Sequence, residues 1–146
     1  MVSYTKGLGC PVGSCLAFAG RRRAEAWEIR KRLGGGMRQS GVLAAAGLYA
    51  LEHHLPGIAK DHEHARLLAE RLADCRAVRV ETPETNIVMI DLVRDADTAD
   101  AVAPRLAAAG LLVTPYGAQR LRAVMHRDVA RPEIERAAAL VGQVLQ

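Results

Sequence analysis

The stretch Tyr4-Thr5-Lys6-Gly7-Leu8-Gly9-Cys10-Pro11-Val12-Gly13-Ser14 decides how the rest of the chain is read. It sets one lysine beside a hydroxyl and close to two glycines, just ahead of a short apolar run. Of the twenty basic residues only Lys6, Lys31 and Lys60 are lysines, so a lysine at the tightest turn stands out. A primary amine attacks a carbonyl once it sheds its proton, and burial or a neighbouring cation lowers its pKa toward that state. Arginine cannot substitute, because its guanidinium stays charged. Gly7 and Gly9 let the backbone come close to whatever the amine holds. Spacing alone also fits a surface turn with a solvated lysine. It does not fit a phosphate-cradling P-loop, which needs a four-residue gap between glycines and a Lys-Ser/Thr pair.

Outward from this turn, Val12 to Ala19 is small and apolar and reads as a buried strand. From Arg22 to Leu33, Ala26, Ile29 and Leu33 recur at helical spacing, and Gly34-Gly35-Gly36 stops the helix. Ser40 is placed to cap a second helix over 41–53 that is apolar on almost every face. Such a helix needs burial all round, which implies a partner subunit or a further part of the protein. Pro56-Gly57 interrupts, and this joint divides residues 1–56 from residues 57–146. Beyond it an amphipathic helix is predicted over 58–74. Strands follow over 77–80 and 86–92, then a helix over 98–109 containing Pro104 and stopped by Gly110. Two further strands are predicted over 111–114 and 121–125, around a turn at Pro115-Tyr116-Gly117, and a helix over 132–145 closes the chain. Strands adjacent in sequence favour antiparallel pairing with helices on one face.

The 146 residues suffice for one core, or for one small domain with an appendage. Half are apolar and a quarter charged, as in ordinary globular proteins. The net charge is +4, with basic residues spread along the chain apart from Arg21-Arg22-Arg23 and Arg30-Lys31-Arg32. One Phe, one Trp and three Tyr leave little for base stacking, so nucleic acid is not the expected partner. A modest positive field suits phosphates and carboxylates instead. Cys10, Cys15 and Cys75 form no CxxC pair and have no histidines at zinc spacing, which argues for free thiols and no structural metal. No apolar run is long enough to span a bilayer, and the first residues lack a signal-peptide pattern, so a cytoplasmic location is expected. Asp61, His62 and His64 offer metal-binding atoms, but their spacing does not put all three on one helix face, and solvated helix residues are the simpler reading.

The residues carry a resemblance as well. Thr5-Lys6-Gly7-Leu8-Gly9-Cys10-Pro11-Val12-Gly13-Ser14 and the block Arg30-Lys31-Arg32-Leu33-Gly34-Gly35-Gly36-Met37-Arg38-Gln39-Ser40-Gly41 resemble the low-specificity L-threonine aldolases, within the aromatic amino acid β-eliminating lyase/threonine aldolase family. Asp61-His62, Thr85-Asn86 and Arg122-Ala123-Val124-Met125-His126-Arg127-Asp128-Val129 extend the resemblance over nearly the whole chain. It implies an α/β chain forming the C-terminal part of a pyridoxal-phosphate-dependent fold type I (aspartate aminotransferase-like) enzyme. Residues 1–56 would then be a fragment of the large cofactor-binding domain, and residues 57–146 a small domain with an antiparallel sheet.

In this family Lys6 matches the lysine that condenses with pyridoxal 5'-phosphate, which puts an electron-withdrawing ring in conjugation with the substrate's Cα. Arg122 matches the arginine that binds the substrate carboxylate, for which a planar fork is suited. Thr5 stands where many relatives have serine and offers a hydroxyl toward the phosphate; Lys31 and Arg38 match basic residues of the active site. His126 is expected to order a strand end. Ala130, where relatives often carry a capping serine, predicts a weaker helix start. The implied reaction cleaves L-threonine or L-allo-threonine to glycine and acetaldehyde. The family's phosphate loop, the histidine stacked on the ring and the aspartate on the ring nitrogen have no counterparts here. A chain inactive by itself is therefore expected, completed by a complementing N-terminal half or within a homo-oligomer. The alternatives are a non-catalytic domain that binds a partner subunit, and a related β-eliminating lyase.

Overall fold

The computed structural model describes residues 1–94 and 96–145. The chain divides into two compact units, Met1–Pro56 and Gly57–Gln146.

Unit 1 opens with a minimal ribbon, β1 (Val2–Ser3) paired antiparallel with β2 (Ser14–Cys15). The buried strand expected over 12–19 is thus reduced to two exposed residues. Gly13, at φ +123°, turns the chain just before β2, and β1 offers only two residues to pair with. Two helices follow, α1 (Arg23–Arg32) and α2 (Gly41–His53). Gly34 takes φ +80° just past α1, the left-handed conformation that suits glycine. At Gly35 a Cβ would lie 2.9 Å from Arg30 Cγ and 3.1 Å from the Arg30 carbonyl oxygen, so this return needs glycine for space. Ser40 does not cap α2 with its side chain; it already has helical dihedrals, φ −71° and ψ −3°. Of the apolar helix α2 only Ala50 is buried.

Unit 2 is built on α3 (Ile58–Leu72), β3 (Val78–Val80), β4 (Ile87–Leu92), α4 (Ala99–Ala108), β5 (Thr114–Gly117), β6 (Arg120–Val124) and α5 (Arg131–Val144). Its four strands form an antiparallel sheet in the order β3-β4-β6-β5. Alternation sends Val88, Ile90, Leu92, Leu121 and Ala123 to one face, where they pack with Leu68 and Leu72 of α3, Val102 and Leu106 of α4, and Ile134 and Val141 of α5. Thr98 caps α4, its Oγ1 accepting the Ala101 N–H at 3.3 Å. Pro104 lies inside α4, as expected for a helix over this span. At α5 the cap is halved: Ala130 has no hydroxyl to give, yet its own N–H donates to the Glu133 carboxylate at 2.6 Å.

Two expectations fail in this sheet. The strand expected over 111–114 begins only at Thr114; Leu111 and Val113 instead pack against the core from the loop after Gly110. Pro115-Tyr116-Gly117 is part of β5 rather than the turn, which falls on Ala118-Gln119. Pro115 is tolerated because β5 is an edge strand, and the register shifts between Pro115 and Gly117. Among the described residues no helix is long and apolar enough to cross a membrane.

Candidate active site

In unit 1 the lysine lies in a tight, pinned loop. The Gly9 N–H donates to the Lys6 carbonyl at 2.8 Å, closing a turn over Lys6–Gly9, and Gly9 takes φ +68°. The Cys10 N–H donates to the Tyr4 carbonyl (2.9 Å), and the Tyr4 N–H to the Gly13 carbonyl (3.0 Å). Leu8, at the centre of the turn, is buried, while Lys6 and Thr5 on its rim are exposed. Lys6 makes no ion pair among the described residues. Thr5 Oγ1 lies 2.9 Å from Ser3 Oγ, so the residue before Lys6 has its hydroxyl in a hydrogen bond across the loop start.

Helix α2 and its end hold this loop. His54 Nδ1 donates to the Leu8 carbonyl at 2.7 Å, so that nitrogen carries the proton. Tyr49 meets the His54 ring edge-on at a centroid distance of 5.3 Å, and the buried Cys10 thiol points at the Ala46 carbonyl at 3.7 Å. Sequence reading missed that His54 anchors the lysine turn; no spacing rule links residues 46 positions apart. It also missed Tyr4, whose phenol is pushed above its ordinary value by its hydrogen bond to Cys15, then by charge on Cys15, burial and Cys10.

Lys31 and Arg38 are exposed on either side of the glycine triplet. The Lys31 side chain runs along Gly36, where a Cβ would come within 2.6 Å of its Cδ. Its ammonium lies 5.6 Å from the centre of the Trp27 ring, and the Arg30 guanidinium lies 5.0 Å from it.

In unit 2, Arg122 projects from the sheet face opposite the helices. That face carries two rows: Arg79, Asp91 and Arg120 across β3, β4 and β6, and Met89, Arg122 and Thr114 across β4, β6 and β5. Arg120 is satisfied by a two-pronged pair with Asp91, at 2.5 and 2.9 Å. That pair holds the Asp91 carboxyl below its usual range and raises Arg120 further. Arg122 has Met89 and Thr114 as cross-strand neighbours and no carboxylate partner among the described residues. Two arginines two positions apart therefore differ: one is spent on structure, the other is left with its fork open. The strand end beyond is tied by Asn86, whose Nδ2 donates to the Met125 carbonyl (2.7 Å) while its own carbonyl accepts the Met125 N–H (2.8 Å). The exposed His126 accepts the Asp128 N–H at 3.4 Å, a local ordering role.

Asp61 and His64 correct the expectation of solvated residues: both are buried, and His64 Nδ1 has no hydrogen-bond partner. Among the described residues no group of three or more potential ligands is placed to hold a metal ion.

The first 95 residues match the model of the β-eliminating lyase family. Over 136 residues the chain is 38% identical to low-specificity L-threonine aldolase 1 of Arabidopsis thaliana, covering 91% of this chain and 38% of the relative. Over 142 residues it is 39% identical to the low specificity L-threonine aldolase of Escherichia coli K12, covering 94% and 40%. The chain thus spans about two fifths of the length of the curated relatives it matches. Among solved structures, a protein from Exiguobacterium described as a putative aromatic amino acid β-eliminating lyase/threonine aldolase superposes with a TM-score of 0.75 at 19% identity, over 97% of this chain and 43% of its own. The aminotransferase TlmJ of Streptoalloteichus hindustanus gives a TM-score of 0.59 at 19% identity, over 71% and 36%. At that identity these two speak for the fold, the fold type I class. With the family match over the lysine turn and the glycine triplet, the chain belongs to the β-eliminating lyase family.

Proposed function

We propose that this chain supplies the lysine turn and the carboxylate-binding arginine of a pyridoxal-phosphate-dependent aldehyde-lyase, one that cleaves L-threonine or L-allo-threonine to glycine and acetaldehyde. The observation that carries the reading is the Lys6 turn. It holds an exposed amine with no carboxylate partner among the described residues, in a loop closed by three backbone hydrogen bonds and anchored by His54. An amine engaged in an ion pair would have to break it before reacting; this one does not.

The residues present fit the cofactor's chemistry. Lys6 would hold its aldehyde, and Thr5, with Lys31 and Arg38, would meet its phosphate as a hydroxyl donor and two cations. When bound, the cofactor supplies an electron sink for the pair released as Cα–Cβ breaks. Arg122 would fix the substrate carboxylate through its fork, so that the β-hydroxyl carbon is presented in one orientation. The names of the relatives favour threonine over other amino acids.

The test is turnover. The chain is mixed with the part of the Escherichia coli relative that lies outside its 142 matched residues, and acetaldehyde release is measured with threonine and allo-threonine beside pyruvate release with serine. Aldehyde release that vanishes in Lys6→Ala supports the reading; pyruvate from serine without aldehyde from threonine points to an eliminating lyase instead.

A further inference from the structure

Unit 1 is a surface without a core. Of the eighteen large apolar residues exposed in the structure, fourteen lie in residues 1–56, whereas that unit buries only Leu8, Cys10 and Ala50 among its hydrophobic residues. Unit 2 buries eighteen. The exposed side chains are not scattered. A groove of about 1020 Å³ runs between the β1–β2 ribbon, α1, the glycine triplet and α2, with Leu16, Phe18, Trp27, Met37, Leu48 and Leu51 in its walls. Single exposed hydrophobics are ordinary, but a continuous apolar groove of this size marks a place where another chain segment packs.

Charge says what kind. Residues 1–56 hold eight Lys and Arg against three Asp and Glu, a net +5, while residues 57–146 hold twelve against thirteen, a net −1. The basic residues are spread along the sequence, but their excess is confined to unit 1. Glu25 and Glu28 are taken by Arg22 and Arg32. Arg21, Arg23, Arg30, Lys31 and Arg38 have no carboxylate partner among the described residues. Two copies meeting through unit 1 would set one net +5 unit against another, with Arg23 and Arg30 in the groove wall of each, which opposes self-association and favours an acidic rim on the occupant. The relatives indicate the source: more than half of each lies outside the match, and that polypeptide must pack against something.

We infer that the groove of unit 1 is the docking site for the part of the lyase fold that lies outside the matched residues of the relatives, and that this part presents an apolar strip flanked by acidic residues. The inference rests on the functional reading above, and it adds the surface and the chemistry of the partner.

Trp27, the only tryptophan, lines the groove and is 56% exposed, so its fluorescence reports occupancy. The chain is titrated with the unmatched part of the Escherichia coli relative, and binding is followed by Trp27 emission and by sedimentation. The expected result is a one-to-one complex with blue-shifted emission, weakened at least about tenfold by Leu48→Asp and unaffected by Leu112→Asp on unit 2. Raising salt from about 50 to about 500 mM should weaken it further, through screening of the rim charges. Self-association of the chain with the same emission shift would overturn the inference in favour of a second copy. So would a lone monomer whose unit 1 amides resist hydrogen exchange, because such a surface needs no partner. A complex that forms but gives no Lys6-dependent turnover leaves the docking site standing and removes the functional reading. Turnover by the lone monomer does the reverse.

Discussion

Arg120 and Arg122 allow a sharp test, because they share a strand and a sheet face and differ only in what they meet. Replacing each by leucine should give opposite patterns. Arg120→Leu removes both bonds to Asp91 and leaves that carboxylate, whose side chain is only 17% exposed, without its fork. Asp91 has its folded pKa lowered below 3.8, so its contribution to stability is present above that value and is lost as pH falls through the folded pKa. Wild type and Arg122→Leu should therefore lose stability along the same acid limb below about pH 4, whereas Arg120→Leu should be less stable at neutral pH and show a flatter limb. Arg122→Leu leaves no carboxylate behind, so its stability at pH 7 should stay within about 0.5 kcal/mol of wild type. Its cost should fall on the substrate instead. A charge-assisted hydrogen bond is worth about 1.5–3 kcal/mol, so loss of one unshared bond to the amino acid carboxylate raises KM by about 10- to 150-fold in the complemented enzyme. Urea unfolding between pH 2 and 7, with steady-state kinetics on threonine, measures both. The reasoning is refuted if Arg122→Leu destabilises like Arg120→Leu, or if both leave KM unchanged.

Further outcomes follow from the same structure. Leu121→Ala, at a side chain 1% exposed, should cost about 2–5 kcal/mol, whereas Leu48→Ala, 69% exposed on α2, should cost less than about 1 kcal/mol in urea unfolding of the lone chain. Gly34→Ala, at φ +80°, should lower stability by about 1–2 kcal/mol in the complex, seen as a fall in its melting temperature. His54→Ala should leave the helices intact by circular dichroism yet speed amide exchange in the Lys6–Cys10 loop, because the bond to the Leu8 carbonyl is lost.

The helices and the two central strands were legible because local rules govern them. Apolar recurrence along 58–72 reports the buried face of α3, and alternation in Ile87–Leu92 reports β4. The edge was not. The run Leu111-Leu112-Val113 reads as strand, but it follows the left-handed Gly110 and packs as a loop, while Pro115 sits in a strand only because its missing N–H faces no partner. The small apolar run from Val12 looked like a buried strand because composition says nothing about what covers it. At the site, Lys6 and Arg122 stood out by residue type and resemblance. The clamp from His54 and the pairing of Arg120 with Asp91 are contacts across 46 and 29 positions, which no local pattern encodes.

The most direct measurement is chemical trapping. The complemented chain is incubated with pyridoxal 5'-phosphate, reduced with borohydride and digested, and the label is assigned among Lys6, Lys31 and Lys60 by mass spectrometry. The account expects the label on the Lys6 peptide alone, with its loss in Lys6→Arg. Equal labelling of the three lysines, or a label confined to Lys31 or Lys60, would contradict it.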